Sequence, residues 1–284
     1  MLATLIHIGF PLSVCCNVFA LGLESSPRDV IFLLRRPSLL LRSLLAMYGL
    51  MVGFAVAVAT FGHLGRTINT VLVILSLSPV PPALPINNRK AGGSQSYAIG
   101  LLVTAVLVAL FLVPVWVELL GRYFRIDAHI APGKIAPVII VTVLGPVFSG
   151  ILLRRLAPRL AARLVKPFAR GSGIILVAVL IPALVAAAVP LWHMESNHLL
   201  AALAGFVLTG LAVGHVMGGP DPQEQTILAL ATCARHPGVA LAIIGAVFPE
   251  LRPAATAVVI WYLLFVLLFA VPYVIWRRRT LPQS

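Results

Sequence analysis

The chain has 284 residues, 60% of them hydrophobic and only 10% charged, with a mean hydropathy of +1.04 and a formal net charge of +13. Soluble domains use about 25% charged residues, so a soluble globular protein is excluded and an all-α polytopic membrane protein is indicated. The positive charge does not mark a nucleic-acid binder, because the Lys and Arg residues sit in short connections beside apolar stretches.

Nine apolar segments follow in order, at about 2–23, 39–61, 67–84, 98–120, 135–156, 173–190, 199–218, 227–248 and 254–276. The first has no basic residue ahead of its apolar run and reads as a span rather than a cleaved signal. The third ends in Ser78-Pro79-Val80-Pro81-Pro82-Ala83-Leu84-Pro85, which no continuous α-helix traverses, since proline lacks an N–H and clashes with the preceding turn. The connection from Arg154 to Arg170 carries six basic residues and no acid, and reads as an amphipathic interfacial segment. The eighth segment is long enough to span, yet its centre is Arg235-His236-Pro237-Gly238. A cation at mid-bilayer costs about 2.5–3.5 kcal/mol on the insertion scale, and irregular backbone survives there only inside protein or against a watery cavity.

If the spans alternate, 14 Lys and Arg residues lie on the side of the carboxyl end and 5 on the other. The amino end is then outside and the carboxyl end cytoplasmic, in an integral multi-pass protein of bacterial inner (plasma) membrane type. Interruptions in segments three and eight, five apart, point to an inverted-repeat carrier with two discontinuous helices. Residues 1–121 form the first repeat of four spans, whose leading helix is missing; residues 133–279 form the second, of five; 280–284 are a short tail.

The expected substrate site follows from these breaks. It comprises Arg235, His236, Thr232, Pro79, Pro82 and Asn87, with Pro81, Pro85, Pro237 and Gly238 as helix breaks. Arg235 offers paired donors to a carboxylate, two half-helix amino termini add their dipoles, and His236 is placed to take a proton and couple transport to pH. The alternative roles are structural: Arg235 bonding carbonyls that Pro237 leaves free, and His236 as a satisfied interior histidine. No metal or cofactor is expected, because Cys15, Cys16 and Cys233 lie in spans without ligand spacing. Asn17 and Asn69 read as helix–helix hydrogen-bonding residues. Trp116, Trp192, Trp261, Tyr262, Tyr273 and Trp276 read as interfacial anchors.

Ala20-Leu21-Gly22-Leu23, Ser78-Pro79-Val80-Pro81-Pro82, Gly92-Gly93 and Arg235-His236-Pro237-Gly238-Val239-Ala240 occur in an order and spacing that resembles the bile acid:sodium symporter superfamily, over nearly the whole chain. The resemblance implies a panel domain and a core domain whose two broken helices cross near the midplane. It implies nine spans when the first of ten is missing. The departures concern sodium. Where sodium-coupled relatives carry a ligating Ser-Asn pair, this chain has Leu84 and Pro85, and the family's Glu and Gln fall at Ala231 and Arg235. Sodium needs a cage of oxygens, so sodium coupling is not expected and Arg235 stands where the ion would be. Arsenite-type relatives place a cysteine where this chain has Val80, which argues against metalloid transport. The functional expectation is a secondary transporter of a small organic anion in the lipid bilayer. Its rival is a non-transporting receptor or assembly subunit that retains the carrier fold; an enzyme is disfavoured, for no catalytic set appears within the spans.

Overall fold

The computed structural model describes residues 2–81, 94–192 and 196–280, which are helical throughout apart from short connections. The helices are α1 (Leu2–Glu24), α2 (Pro37–Phe61), α3 (Arg66–Leu77), α4 (Gln95–Phe124), α5 (Gly133–Leu156), α6 (Pro158–Trp192), α7 (Ser196–Met217), α8 (Pro222–Cys233), α9 (Pro237–Val247) and α10 (Arg252–Thr280). Among the described residues seven stretches are long and apolar enough to cross a membrane, and Ile8–Glu24 and Arg66–Leu77 are shorter apolar helices.

Proline marks many of the starts. Pro37 and Pro158 open α2 and α6, Pro222 follows the N-cap Asp221, and Pro237 follows the N-cap His236. At the first helical position the missing N–H costs nothing and φ is already set. Two segments depart from the α-helical ladder into π-helical stretches, Leu45–Leu50 within α2 and Ile140–Leu144 within α5. The Arg154–Arg170 connection is a correction: instead of a separate interfacial segment, most of it is the first third of α6, a single 35-residue helix.

Close helix contacts rest on small residues, as expected where lipid supplies no hydrophobic drive between helices. α1 crosses α5 where Gly22 meets Gly150; a Cβ on Gly150 would stand 2.7 Å from the Phe19 carbonyl oxygen. α7 packs antiparallel on α8 through Gly210, Gly214 and Gly218, set against Cys233, Ala229 and Gln225. α1, α5 and α6 pack on one another, α2 lies on α3, and α9 touches α3, α5 and α10.

Polar contacts gather many helix termini at one end. Arg36 pairs with Glu224, Arg154 donates to the Glu24 carbonyl, Ser96 Oγ donates to Asp29 Oδ1 (2.5 Å), and Arg277 Nε donates to Thr226 Oγ1 (2.8 Å). This end carries the basic residues of 28–42, 154–170 and 277–279. At the opposite end Arg66 pairs with Glu250 (3.1 Å), joining the start of α3 to the connection between α9 and α10.

Candidate functional site

The interruption between α8 and α9 consists of Ala234, Arg235 and His236, which have no helical hydrogen-bonding pattern. α8 ends because Pro237 disfavours the helical conformation in the residue before it; that residue, His236, is extended and caps α9. Pro237 is thus the first residue of a new helix. A Cβ on Gly238 would stand 3.2 Å from His236 Cε1, so its small size lets the ring fold back over the helix start.

Arg235 is 1% exposed and His236 equally so. The guanidinium reaches across to two other elements. Nη1 donates to the Ser78 carbonyl (3.3 Å), which caps the carboxyl end of α3, and Nη2 donates to the Met47 carbonyl (2.9 Å), in the π-helical stretch of α2. Nε is buried with no partner among the described residues. Among these residues no carboxylate pairs with Arg235 either. The His236 backbone N–H donates to the Pro79 carbonyl (2.9 Å). The α8–α9 break and the end of α3 are therefore in contact, the one supplying N–H donors and the other carbonyls left open where helical turns end.

Tyr262 of α10 holds the other side. Its hydroxyl accepts from the Arg235 backbone N–H (2.6 Å) and donates to the Cys233 carbonyl (2.8 Å), the last residue of α8. It is fully buried, so the expectation of an interfacial anchor is corrected. A hydroxyl that both accepts and donates is what an orphan N–H and an orphan C=O at a helix break require.

The field at this point differs from expectation. The described helix ends facing Arg235 are the carboxyl ends of α3 and α8, whose partial negative charge stabilises a cation. One amino end is present, that of α9, and His236 Nδ1 already accepts its Val239 N–H (3.3 Å). That bond requires Nδ1 unprotonated. His236 Nε2 is buried without a partner among the described residues. The carbonyls that Arg235 binds belong to α3 and α2, not to the turn before Pro237.

Among the other expected residues, Thr232 is buried and donates its hydroxyl within its own helix to Leu228 (2.6 Å). Pro79 contributes its carbonyl, and Pro81 is the last described residue of the first break. Pro82, Pro85 and Asn87 lie outside the described residues. Asn69 donates to the Leu64 carbonyl (3.0 Å) and the Ala59 carbonyl (3.3 Å), tying α3 to α2. Sequence reasoning missed the Gly210, Gly214 and Gly218 series, although its four-residue spacing of small residues is a sufficient signal.

A cavity of about 380 Å³ lies at the less basic end, bounded by α3 from Arg66 to Leu77, by the end of α4 and by Phe248. Its lining is mostly apolar, with Arg66, Asn69 and Thr70 as polar exceptions. Leu77 adjoins Ser78, so this space reaches the residue next to an Arg235 partner.

Seven long apolar helices among the described residues, one of them interrupted at a buried cation that touches the end of α3, mark a polytopic membrane protein. The family model described as Sodium Bile acid symporter family matches residues 11–193, and the chain belongs to that family, one of membrane transporters. The matched region includes the first break and ends before α7, so the second break stands on the geometry above. No curated protein matches the chain.

Proposed function

We propose that this protein is a secondary carrier of a small organic anion, working by alternating access around the Arg235 contact and without the sodium sites of its sodium-coupled relatives. The carrying observation is a guanidinium buried where two interrupted segments touch, with no carboxylate partner among the described residues and with Nε unpaired. A buried cation that backbone carbonyls satisfy only in part is costly, and an anion arriving through the 380 Å³ cavity would relieve that cost. His236 stands as the secondary candidate, for proton coupling through Nε2, which has no partner among the described residues.

Several features support the finer parts of this reading. The seven spans together with the two shorter apolar helices would make nine, arranged as repeats over 1–121 and 133–279. The grouping of α1, α5 and α6 fits a panel, and the remaining helices fit a core. The gathering of basic residues at one end favours a cytoplasmic carboxyl end and an outside amino end. Leu84 and Pro85 stand where sodium-coupled relatives carry a ligating pair and offer no side-chain oxygen, which favours a carrier without those sites.

A second reading has its own observation. The Arg235 bond to the Ser78 carbonyl and the His236 N–H bond to the Pro79 carbonyl tie the α8–α9 break to the end of α3, as suits a receptor or assembly subunit that no longer moves. Counterflow in proteoliposomes separates the two. A carrier exchanges labelled for unlabelled carboxylate, and replacing sodium by choline leaves the rate unchanged. Absence of exchange for every anion that binds supports the receptor, and a sodium requirement overturns the proposed coupling.

A further inference from the structure

α6 has 35 residues, well beyond the roughly 20 that cross a bilayer. Its extra length, at the basic end, carries Arg159, Arg163, Lys166 and Arg170, all exposed. Their spacings of four, three and four residues put them within an arc of roughly 60° at about 100° per residue. On the same side, within a face of roughly 100° in all, the helix continues with Ile174, Val177, Ile181 and Val185, exposed by 70, 54, 57 and 70%. One uncovered face therefore changes from cationic to aliphatic within little more than a single turn, between Arg170 and Ile174.

The opposite face of α6 is occupied. Ala161 is buried, Phe168 meets Phe19 edge-on at 4.9 Å, and the Ser172 carbonyl accepts from Ser13 Oγ (2.7 Å). Farther along, Ala183 packs with Ala257 and Ile260 of α10. Arg154 and Arg155, at the end of α5, add charge beside the stripe. The sequence has no Asp or Glu between Asp127 and Glu195, so α5 and α6 carry nothing that neutralises it.

We propose that this face is a docking surface for anionic phospholipid, with the phosphate at the level of Lys166 and Arg170 and an acyl chain along Ile174, Val177, Ile181 and Val185. Polybasic stretches next to a span attract anionic headgroups. The aliphatic continuation is what selects a lipid: a soluble polyanion would use the cations and leave that track empty. A symmetric second copy would set one cationic stripe against another. The proposal is independent of the substrate site.

The test uses the purified full-length protein in neutral detergent, titrated with phosphatidylglycerol, with phosphatidylcholine and with glycerol phosphate, and followed by thermal unfolding and native mass spectrometry. Phosphatidylglycerol is expected to stabilise the protein with at least about tenfold preference over phosphatidylcholine, falling as salt rises. Glycerol phosphate, lacking the chains, is expected to leave stability unchanged. Each of R159Q, R163Q, K166Q and R170Q lowers affinity by about fivefold at low salt, and the quadruple variant loses the preference. The control pair R125Q and K134Q, at the opposite end, keeps it. Equal effects of the two lipids, equal stabilisation by glycerol phosphate, an unchanged preference in the quadruple variant, or a dimer that the quadruple variant dissolves would each overturn the proposal.

Discussion

Gly214→Ala is the most informative single change to the scaffold, because it adds one methyl where two helix backbones meet. The new Cβ would stand 2.5 Å from Ala229 Cα, whereas ordinary contact begins at 3.4 Å. No rotamer relieves this, since the atoms it meets are backbone. α7 and α8 must then part by roughly 1 Å, and overpacking of this kind costs about 1–3 kcal/mol, occasionally more. For a chain of this size each kcal/mol lowers Tm by about 2–4 °C, which places the drop at roughly 2–12 °C. The displacement also draws the end of α8 away from Tyr262, whose bonds at 2.6 and 2.8 Å fix Arg235 and Cys233. Gly53→Ala is the control: its Cβ would meet nothing within 4 Å, and alanine's helix preference over glycine is worth up to about 1 kcal/mol in its favour. Thermal unfolding of the purified protein in one detergent reads both. A Gly214→Ala protein as stable as wild type, or a Gly53→Ala protein that falls equally, would refute the packing argument.

Other changes address the ends and the break. Tyr262→Phe keeps the ring and removes the hydroxyl, orphaning the Arg235 N–H and the Cys233 carbonyl; a loss of about 1–3 kcal/mol for each group left unsatisfied is expected in unfolding. Glu224→Gln breaks the pair with Arg36, whose side chain is 53% exposed, so a loss of about 1 kcal/mol, largest at low salt, is expected. Glu250→Gln breaks the exposed pair with Arg66, at 3.1 Å, and should change stability by less than about 0.5 kcal/mol. Asp29 lies outside the spans. Burial alone would raise its pKa, but hydrogen bonds from Ser96 and Ser26 and the charge of Arg154 outweigh it and hold the carboxyl below its ordinary 3.8. A depressed folded value stabilises the protein above the unfolded pKa and is lost as pH falls through the folded one. Asp29→Asn should therefore be less stable than wild type at pH 7, with the gap closing as pH is lowered through 3.8.

Some of this is legible in the sequence because membrane burial leaves coarse marks. Uncharged runs of helix length locate the spans, and Arg235-His236-Pro237-Gly238 is so unlike its surroundings that the break can be placed to within a residue or two. That this break touches Ser78 and Pro79 is an inference from paired interruptions, and the contacts at 3.3 and 2.9 Å accord with it. Other features leave no such mark. The π-helical stretch that presents the Met47 carbonyl to Arg235 has the composition of any apolar helix. Tyr262 lies one position from Trp261, which makes it resemble a belt residue, and its role depends on where α10 passes α8. The first third of α6 reads as a separate segment when charge is weighed above helical continuity, yet its cations Arg159, Arg163, Lys166 and Arg170 keep helical spacing throughout.

The central claim is that Arg235 receives the anion, and ligand-induced stabilisation of wild type against Arg235→Gln and Arg235→Lys tests it most directly. A carboxylate or sulfonate that binds raises stability by RT ln(1 + [L]/Kd), about 2.7 kcal/mol at roughly a hundredfold excess over Kd. The account predicts that such a ligand stabilises wild type in sodium-free buffer, loses its effect in Arg235→Gln and retains part of it in Arg235→Lys. An unchanged Kd in a folded Arg235→Gln protein would contradict it.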